Sequence, residues 1–309
     1  MERLDGGSAG PPEFRGGIVA LGNFDGFHLG HQAVVRRAIQ WAKDQGGPAI
    51  VATFDPHPMR HFRPDTPPFR LTTLDQRQRL FAEAGADAML VFHFDAALAG
   101  LTAEAFAQDR LVDAIGVAGV VTGDDFTFGK ARGGNVRVLR DLGARMGFGV
   151  ETVAPIVGEG EAVSSSRIRA LLQAGKPREA ATLLTRPFAI EGVVEPGAKL
   201  GRELGWPTAN LKLGSYLRPA YGIYAVRGRL PDGRMVDGVA NLGIRPMIDP
   251  PLELLEPHFF DFSGDLYGKT IEVELIEYLR PEAKFDDMEA LKAQIARDCE
   301  DARAALARA

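Results

Sequence analysis

Two patterns of hydrophobic positions divide the chain. In the first half, short uninterrupted apolar runs alternate with segments whose apolar residues recur at helical spacing. The runs are residues 18–21, 49–54, 88–92 and 119–122, and the helical segments are residues 33–43, 73–84, 102–115 and 134–146. Apolar runs without polar interruption are typical of strands buried on both faces. Their alternation with helices predicts an α/β fold with a doubly wound parallel sheet.

The pattern changes near Thr185, Arg186 and Pro187. Beyond them, apolar and polar residues alternate in short runs separated by turn residues, which predicts a small antiparallel β-barrel. These runs are residues 188–194, 222–230, 235–242 and 270–279. Apolar residues near helical spacing in residues 286–307 predict a last helix packed on the barrel. We therefore expect two domains, residues 1–184 and 185–309.

Composition narrows the class of protein. The chain has 309 residues, of which 45% are hydrophobic and 25% charged, as in ordinary soluble globular proteins. The net charge of -5 gives no electrostatic argument for a nucleic-acid partner. Cys299 is the single cysteine, so an internal disulfide is excluded. With no apolar run of membrane-spanning length and no signal core, we expect a cytoplasmic protein without a membrane partner.

The two ends of the first half give weaker indications of secondary structure. Residues 1–14 are polar, with Gly and Pro, and predict a frayed arm. Residues 166–174 and 176–184 are predicted as two short helices before the change of pattern.

The most informative connection is residues 22–31, Gly-Asn-Phe-Asp-Gly-Phe-His-Leu-Gly-His, between the first strand and the first helix. Glycine-rich turns of this kind direct backbone N–H groups and a helix N-terminus at one place, which suits phosphate. His28 and His31 are three residues apart and share a helix face. Gly30 keeps side-chain bulk away from both imidazoles. A single His is more often a surface or core residue, but two at this spacing favour a site.

The His-x-Gly-His string resembles the signature of the nucleotidyltransferase superfamily, and the longer string resembles its bacterial FAD synthetase branch. The resemblance implies that His28 and His31 are catalytic. They would contact the phosphates of ATP and stabilise charge that builds in the transition state. The remaining implied ATP contacts in this turn are Gly22, Asn23, Phe24, Asp25 and Gly30.

Two further loops follow predicted strands, and the carboxyl ends of parallel strands are where ligands bind. Residues 54–58 match the family string Phe-x-Pro-His-Pro, and residues 123–129 match Gly-x-Asp-Phe-x-Phe-Gly. Without the resemblance, these are a proline-stiffened loop and a surface hairpin. The resemblance implies a flavin site, with candidate residues Pro56, His57, Pro58, Phe62, Asp125, Phe126 and Phe128.

Residues 163–169 close the first half. Ser164, Ser165 and Ser166 are candidate helix caps, while Arg167 and Arg169 offer bidentate donors for phosphate. The segment resembles the family pattern Ser-Ser-Thr-x-Ile-Arg, with Ser166 keeping the hydroxyl. The resemblance implies that all five residues bind ATP.

Residues 197–210 are the strongest signal in the second half. Alone they describe a long glycine-containing turn, but Pro-Thr-Ala-Asn preceded by Gly-x-x-x-Gly resembles the riboflavin kinase signature. The resemblance implies that Thr208 and Asn210 help to hold Mg²⁺, which prefers oxygen ligands. The implied ATP contacts are Gly197, Lys199, Gly201, Gly205 and Pro207.

The candidate residues of the second half also include a carboxylate, Glu256. Glu256 lies where the kinase family has its acid, which implies a catalytic base, although a solvated surface Glu is the alternative. The chain departs from the family at two places. Met247 replaces a Thr, and Pro257 follows Glu256, which favours an extended backbone and removes one ladder donor.

Together the two resemblances imply a bifunctional enzyme of flavin biosynthesis. The barrel would transfer the γ-phosphoryl of ATP to riboflavin, and the first half would transfer AMP from a second ATP to FMN, giving FAD. Three alternatives stay open. They are an FMN adenylyltransferase with a degenerate barrel, a nucleotidyltransferase with another phosphorylated acceptor such as phosphopantetheine or glycerol phosphate, and a flavin-sensing regulatory protein. The oligomeric state is not predicted.

Overall fold

The computed structural model describes residues 1–158, 160–197, 205–245 and 252–309. It divides into two compact units. The first contains Met1–Pro67 and Leu74–Ser164, and the second contains Pro68–Thr73 and Ser165–Ala309. The second unit therefore includes residues 165–184 and a short segment from within the first half, which the expected boundary at 184/185 assigns to the first domain.

The first unit contains the predicted parallel sheet, which is confirmed. Its strands are β1 (Glu2–Asp5), β2 (Ile18–Leu21), β3 (Ala49–Asp55), β4 (Ala88–His93), β5 (Gly119–Gly123) and β8 (Gly149–Val153). They lie in the order β1-β4-β3-β2-β5-β8, and every neighbouring pair is parallel. Two small antiparallel pairs join β6 (Thr127–Phe128) to β7 (Gly134–Asn135), and β9 (Val157–Gly158) to β10 (Glu161–Ala162).

Helices cover this sheet on both faces. They are α1 (Leu29–Gln45), α2 (Pro58–Phe62), α3 (Leu74–Glu83), α4 (Ala96–Gly100), α5 (Ala103–Phe106) and α6 (Val136–Met146). Val19 and Leu21 of β2 belong to one buried cluster, whereas Ile18 and Ala20 belong to another. Because alternate residues of a strand point to opposite faces, both faces are buried, and the uninterrupted apolar run follows from this.

Two predicted elements differ from the structure. The expected frayed arm is wrong, since β1 adds a parallel edge strand beside β4 and pairs Leu4 with Leu90. Leu4 and Phe14 are both buried, so apolar burial holds a segment that is mostly polar. The helix predicted at residues 102–115 is α5 followed by a π-helical stretch, Ala107–Asp113.

The second unit is the predicted antiparallel barrel. Its strands are β11 (Phe188–Val193), β12 (Leu211–Lys212), β13 (Gly222–Arg229), β14 (Met235–Arg245), β15 (Leu252–Phe259) and β16 (Thr270–Arg280). They lie in the order β11-β16-β13-β14-β15-β12, and contact between β11 and β12 nearly closes the barrel. The helices are α7 (Ser165–Gln173), α8 (Pro177–Leu184) and α9 (Met288–Leu306). Ala302 and Leu306 of α9 pack on Val239 and Ile276, as expected.

The short segment Pro68–Thr73 belongs to this barrel unit. The Arg70 N–H donates to the Ser215 carbonyl at 3.0 Å, and the Leu217 N–H donates to the Arg70 carbonyl at 2.8 Å. Arg70 therefore forms a parallel bridge with Tyr216. A piece of the amino-terminal half thus completes backbone hydrogen bonding in the second unit.

Candidate active sites

Residues 22–31, the phosphate-type turn, join β2 to α1 with backbone angles that are unusual for side-chain-bearing residues. Phe24, Gly26 and Phe27 have φ angles of 49°, 86° and 42°. Such angles suit Gly but cost a side-chain-bearing residue about 1–2 kcal/mol. Phe24 and Phe27 are buried, and their rings meet the ring of Phe81 edge-on at 5.9 and 5.0 Å. Burial of these two rings offsets the backbone cost and fixes the turn.

The two histidines of this turn lie side by side. His28 caps α1, and its Nδ1 accepts the His31 N–H at 3.4 Å. The two rings are stacked, with centroids 3.6 Å apart and planes 19° apart. A Cβ at Gly30 would lie 3.3 Å from the His28 ring, so glycine there leaves the rings room. The turn thus presents two imidazoles at a helix N-terminus, the arrangement expected for binding phosphate.

An apolar cavity of about 680 Å³ lies beside this turn. Six phenylalanine rings line it, from Phe54, Phe62, Phe94, Phe106, Phe126 and Phe128. The Phe126 and Phe128 rings are stacked, with centroids 5.7 Å apart. Asn23 of the turn lines the same cavity, so the turn and the aromatic cavity form one continuous site. Flat aromatic walls of this kind suit a planar ring system.

The cavity contains most of the residues predicted for the flavin. His57, Pro58, Phe62, Phe126 and Phe128 line it. Phe62 stays 66% exposed, which leaves its ring accessible to a ligand. Pro56 and Asp125 do not line the cavity, and Asp125 is exposed beside Gly123.

Three phenylalanines of this cavity were not predicted as flavin contacts, and one of them, Phe54, begins the string of residues 54–58. Phe94 directly follows β4, so its position after a buried strand was a usable signal. Phe106 ends α5 at a spacing that reads as ordinary core, and the sequence carries no signal for its role.

The serine and arginine motif falls where the two units meet in sequence. Ser164 ends the first unit, whereas Ser165, Ser166, Arg167 and Arg169 lie on α7 in the second. The Arg169 Nε donates to the Phe69 carbonyl at 2.8 Å, and its guanidinium lies 5.2 Å from the centre of the Phe69 ring. Binding of ATP by these five residues stays a prediction.

The second unit has its own cavity, of about 550 Å³. It brings together five of the residues predicted for the kinase site, Gly197, Pro207, Thr208, Asn210 and Glu256. Gly205 is described, with a φ of 96°, but does not line the cavity. Lys199 and Gly201 lie outside the described residues.

Asn210 is held so that its oxygen is available. The side chain is 7% exposed, and its nitrogen donates to the Glu195 carbonyl at 3.5 Å. A Cβ at residue 197 would lie 2.3 Å from that nitrogen, so only glycine permits this close approach. The remaining amide oxygen and the Thr208 hydroxyl are donors of the type that Mg²⁺ prefers.

Glu256 faces the same cavity from β15. Alternate residues of this strand line the cavity, namely Leu252, Leu254, Glu256 and His258. Glu256 forms an ion pair with Arg245 and stands opposite Asn241 of β14. Arg245 also lies 3.6 Å from Glu282. Burial lowers the pKa of Arg245, while Glu282 acts in the opposite direction.

Pro257 does not disturb this strand. It pairs with Ala240 of β14, and its carbonyl accepts the Ala209 N–H at 2.9 Å. The N–H and C=O of one strand residue point to the same side. The donor that proline lacks would therefore face Ala209 rather than β14, and the β14–β15 ladder is intact. Met247, the other departure, lies outside the described residues.

Comparisons with known proteins match the two halves of the chain to two family models. A family model described as FAD synthetase matches residues 11–167, and one described as riboflavin kinase matches residues 184–306. The bifunctional riboflavin kinase/FMN adenylyltransferase of Haemophilus influenzae is 39% identical over 290 residues, covering 94% of each chain. The chain belongs to this bifunctional family. Members from Escherichia coli K12 and Pseudomonas fluorescens are 38% and 41% identical, over 92% and 95% of this chain and 90% and 94% of their own.

A solved structure has the same fold as the present chain. A crystal structure described as the macrolide-efflux protein of Streptococcus pneumoniae is 30% identical, with a TM-score of 0.87. The likeness covers 98% of this chain and 99% of that one. Among the residues that the structure describes, no helix has the length and apolar character needed to cross a membrane.

Among the polar residues that line the cavity of the second unit, Arg245 and Asn241 lie beside Glu256, and the sequence alone assigned no role to either. Arg245 pairs with Glu256, as described above. The Asn241 Oδ1 is buried and has no hydrogen-bond partner among the described residues. Both residues shortly precede Met247, one of the two departures from the kinase family, and the sequence alone indicates no function for either side chain.

Proposed function

We propose that this chain is a bifunctional flavin enzyme that phosphorylates riboflavin to FMN and adenylylates FMN to FAD. The observation that carries the proposal is the presence of two separate cavities, each beside its own motif. One lies within the residues matched by the FAD synthetase model, and the other within those matched by the riboflavin kinase model.

In the first unit, ATP would place its phosphates at the N-terminus of α1. A phosphate oxygen of FMN attacks the α-phosphorus of ATP, the bond to the bridging oxygen of the β-phosphate breaks, and pyrophosphate leaves. His28 and His31 stabilise the charge that grows on the phosphate oxygens, a contribution larger in the transition state than in the ground state. The aromatic cavity holds the flavin ring and so orients its phosphate.

In the second unit, Glu256 accepts the proton of the terminal hydroxyl of riboflavin. The hydroxyl oxygen attacks the γ-phosphorus of ATP, and ADP leaves. Thr208 and Asn210 would hold Mg²⁺, which when bound neutralises phosphate charge. Arg245 forms an ion pair with Glu256, which orients the carboxylate toward the cavity. We propose further that the two activities belong to separable domains, residues 1–184 and 185–309.

One incubation tests the proposal against its main alternative, an FMN adenylyltransferase with an inactive barrel. Protein, Mg²⁺, ATP and riboflavin are combined, and the flavins are separated chromatographically. Appearance of FMN followed by FAD supports both activities. FAD formed only when FMN is supplied supports the alternative, and no FAD from supplied FMN refutes the adenylyltransferase assignment.

A further inference from the structure

Arg77 of α3 is a cation buried in the first unit. Its side chain is 0% exposed and lines neither cavity described above. Removing a guanidinium from water is costly unless its donors find partners. Its Nη1 donates to the Thr53 hydroxyl at 2.7 Å and to the Asn23 carbonyl at 3.1 Å. Its Nη2 lies 3.8 Å from Asp55.

These partners come from the ends of two neighbouring strands. Thr53 is itself fully buried, and its hydroxyl donates to the Asn23 carbonyl at 2.8 Å while it accepts from Arg77. The Asn23 carbonyl thus accepts two hydrogen bonds within the phosphate-type turn. Asp55 is the last residue of β3, immediately before the loop that brings His57 to the aromatic cavity. The Arg77 guanidinium therefore connects the phosphate-type turn to the loop that follows Asp55.

The same face of α3 makes a second contact with the turn. Phe81 lies four residues after Arg77, so the two side chains are neighbours on the helix. Its ring contacts Phe24 and Phe27, the two residues with positive φ. The helix thus supports the turn through one polar and one apolar side chain, although neither residue belongs to a recognised motif.

We propose that Arg77 is a positioning residue for adenylyl transfer. It fixes the Asn23 carbonyl and thereby the path of the turn that places His28 and His31. It also holds the loop after Asp55 at a constant position relative to that turn. This inference rests on the proposed function of the first unit. Displacement of reacting groups by about 1 Å can cost ~10²-fold in rate, so loss of this network is expected to affect chemistry more than binding.

The test uses the full-length chain, in which the kinase reaction is an internal control for folding. Arg77→Met keeps the approximate length of the side chain and removes every donor. We expect the kcat for FAD formation from supplied FMN and ATP to fall about 10- to 100-fold. FMN formation from riboflavin should stay at the wild-type rate. Arg145→Met, at an exposed arginine paired with Glu104, is the matched control and should leave both reactions unchanged.

Two milder variants show whether the hydrogen bonds themselves matter. Lys at position 77 reaches one acceptor but cannot bridge several, so Arg77→Lys should recover part of the lost kcat. Thr53→Val removes only the relaying hydroxyl and should lower the same kcat by a smaller factor. In the double variant with Arg77→Met, Thr53→Val should add no further loss, because both act through one network.

The results that would overturn the inference are specific. An Arg77→Met enzyme with wild-type kcat for FAD formation refutes it, and so does a parallel loss of both reactions. If Arg77→Met does not fold, wild-type FAD formation by both Thr53→Val and Arg77→Lys refutes it instead. A wild-type enzyme that makes no FAD from FMN would refute the proposed function of the first unit, which separates the two failures.

Discussion

Glu256→Gln is the most direct test of the kinase site. The substitution keeps the size of the side chain and leaves an oxygen to which Arg245 can donate, but it removes the proton acceptor. Arg245 keeps Glu282 as an ionic partner at 3.6 Å. The pair is partly exposed, with 32% and 17% of the Arg245 and Glu256 side chains accessible. Because most of the Glu256 carboxylate is removed from water, we expect a loss of about 1.5–3 kcal/mol of unfolding free energy, the range for hydrogen bonds to charged groups.

The expected effect on the rate is much larger. General-base catalysis contributes ~10²–10⁴ in rate, which corresponds to about 2.7–5.4 kcal/mol of activation free energy. The assay follows FMN formation from riboflavin and ATP by chromatography and measures the thermal midpoint of the same preparation. FAD formation from supplied FMN should be unchanged, because it uses the first unit.

Glu253→Gln is the matched control on the same strand. Glu253 lies outside the alternating set that lines the cavity and pairs instead with Arg218 at 2.6 Å and with Tyr221. Its substitution should lower stability at least as much as Glu256→Gln and leave FMN formation near the wild-type rate. An unchanged rate for Glu256→Gln would show that Glu256 is not the base. An equal loss in both variants would point to damage of the strand rather than to lost chemistry.

Further substitutions and fragments test whether the two active sites are independent and whether the kinase site binds Mg²⁺. His31→Ala should lower FAD formation by ~10²–10³ without affecting FMN formation, as measured in one chromatographic assay, and equal losses would argue against separate sites. A fragment beginning at Thr185 should fold and make FMN but no FAD. A longer fragment from Ser165, which keeps α7 and α8, is its control, and inactivity of both would count against separable domains. Asn210→Ala should raise the Mg²⁺ concentration needed for half-maximal FMN formation, and an unchanged requirement would mean that Asn210 is not a ligand.

The sequence predicted the four inner strands of the sheet, β2 to β5, because they are apolar on both faces. In residues 49–54, for example, no position faces water, and the run ends where the site begins. β1 was missed because Leu4 is the single apolar residue among Glu2–Asp5, and its burial depends on pairing with β4. Because β4 is distant in the sequence, the hydrophobicity of residues 2–5 alone does not indicate this strand.

The candidate sites were predictable where a motif sets the backbone. The turn at residues 22–31 and the segment ending at Asn210 fall into this class, because Gly30 leaves room for the His28 ring and Gly197 permits the close approach of Asn210. Arg77 and Phe106 were not predictable. Each sits in a helix with ordinary spacing, and the partners Thr53 of β3 and Phe92 of β4 come from strands that only the folded sheet brings near.

The segment Pro68–Thr73 has a consequence for synthesis on the ribosome. Arg70 leaves the exit tunnel long before Ser215 and Leu217, to which it is hydrogen-bonded in the second unit. At roughly 5–20 residues per second, this segment waits on the order of ten seconds for its partners. These two hydrogen bonds of the second unit therefore form only after that interval. Splitting the gene between the two halves would delay them until the separate polypeptides associate.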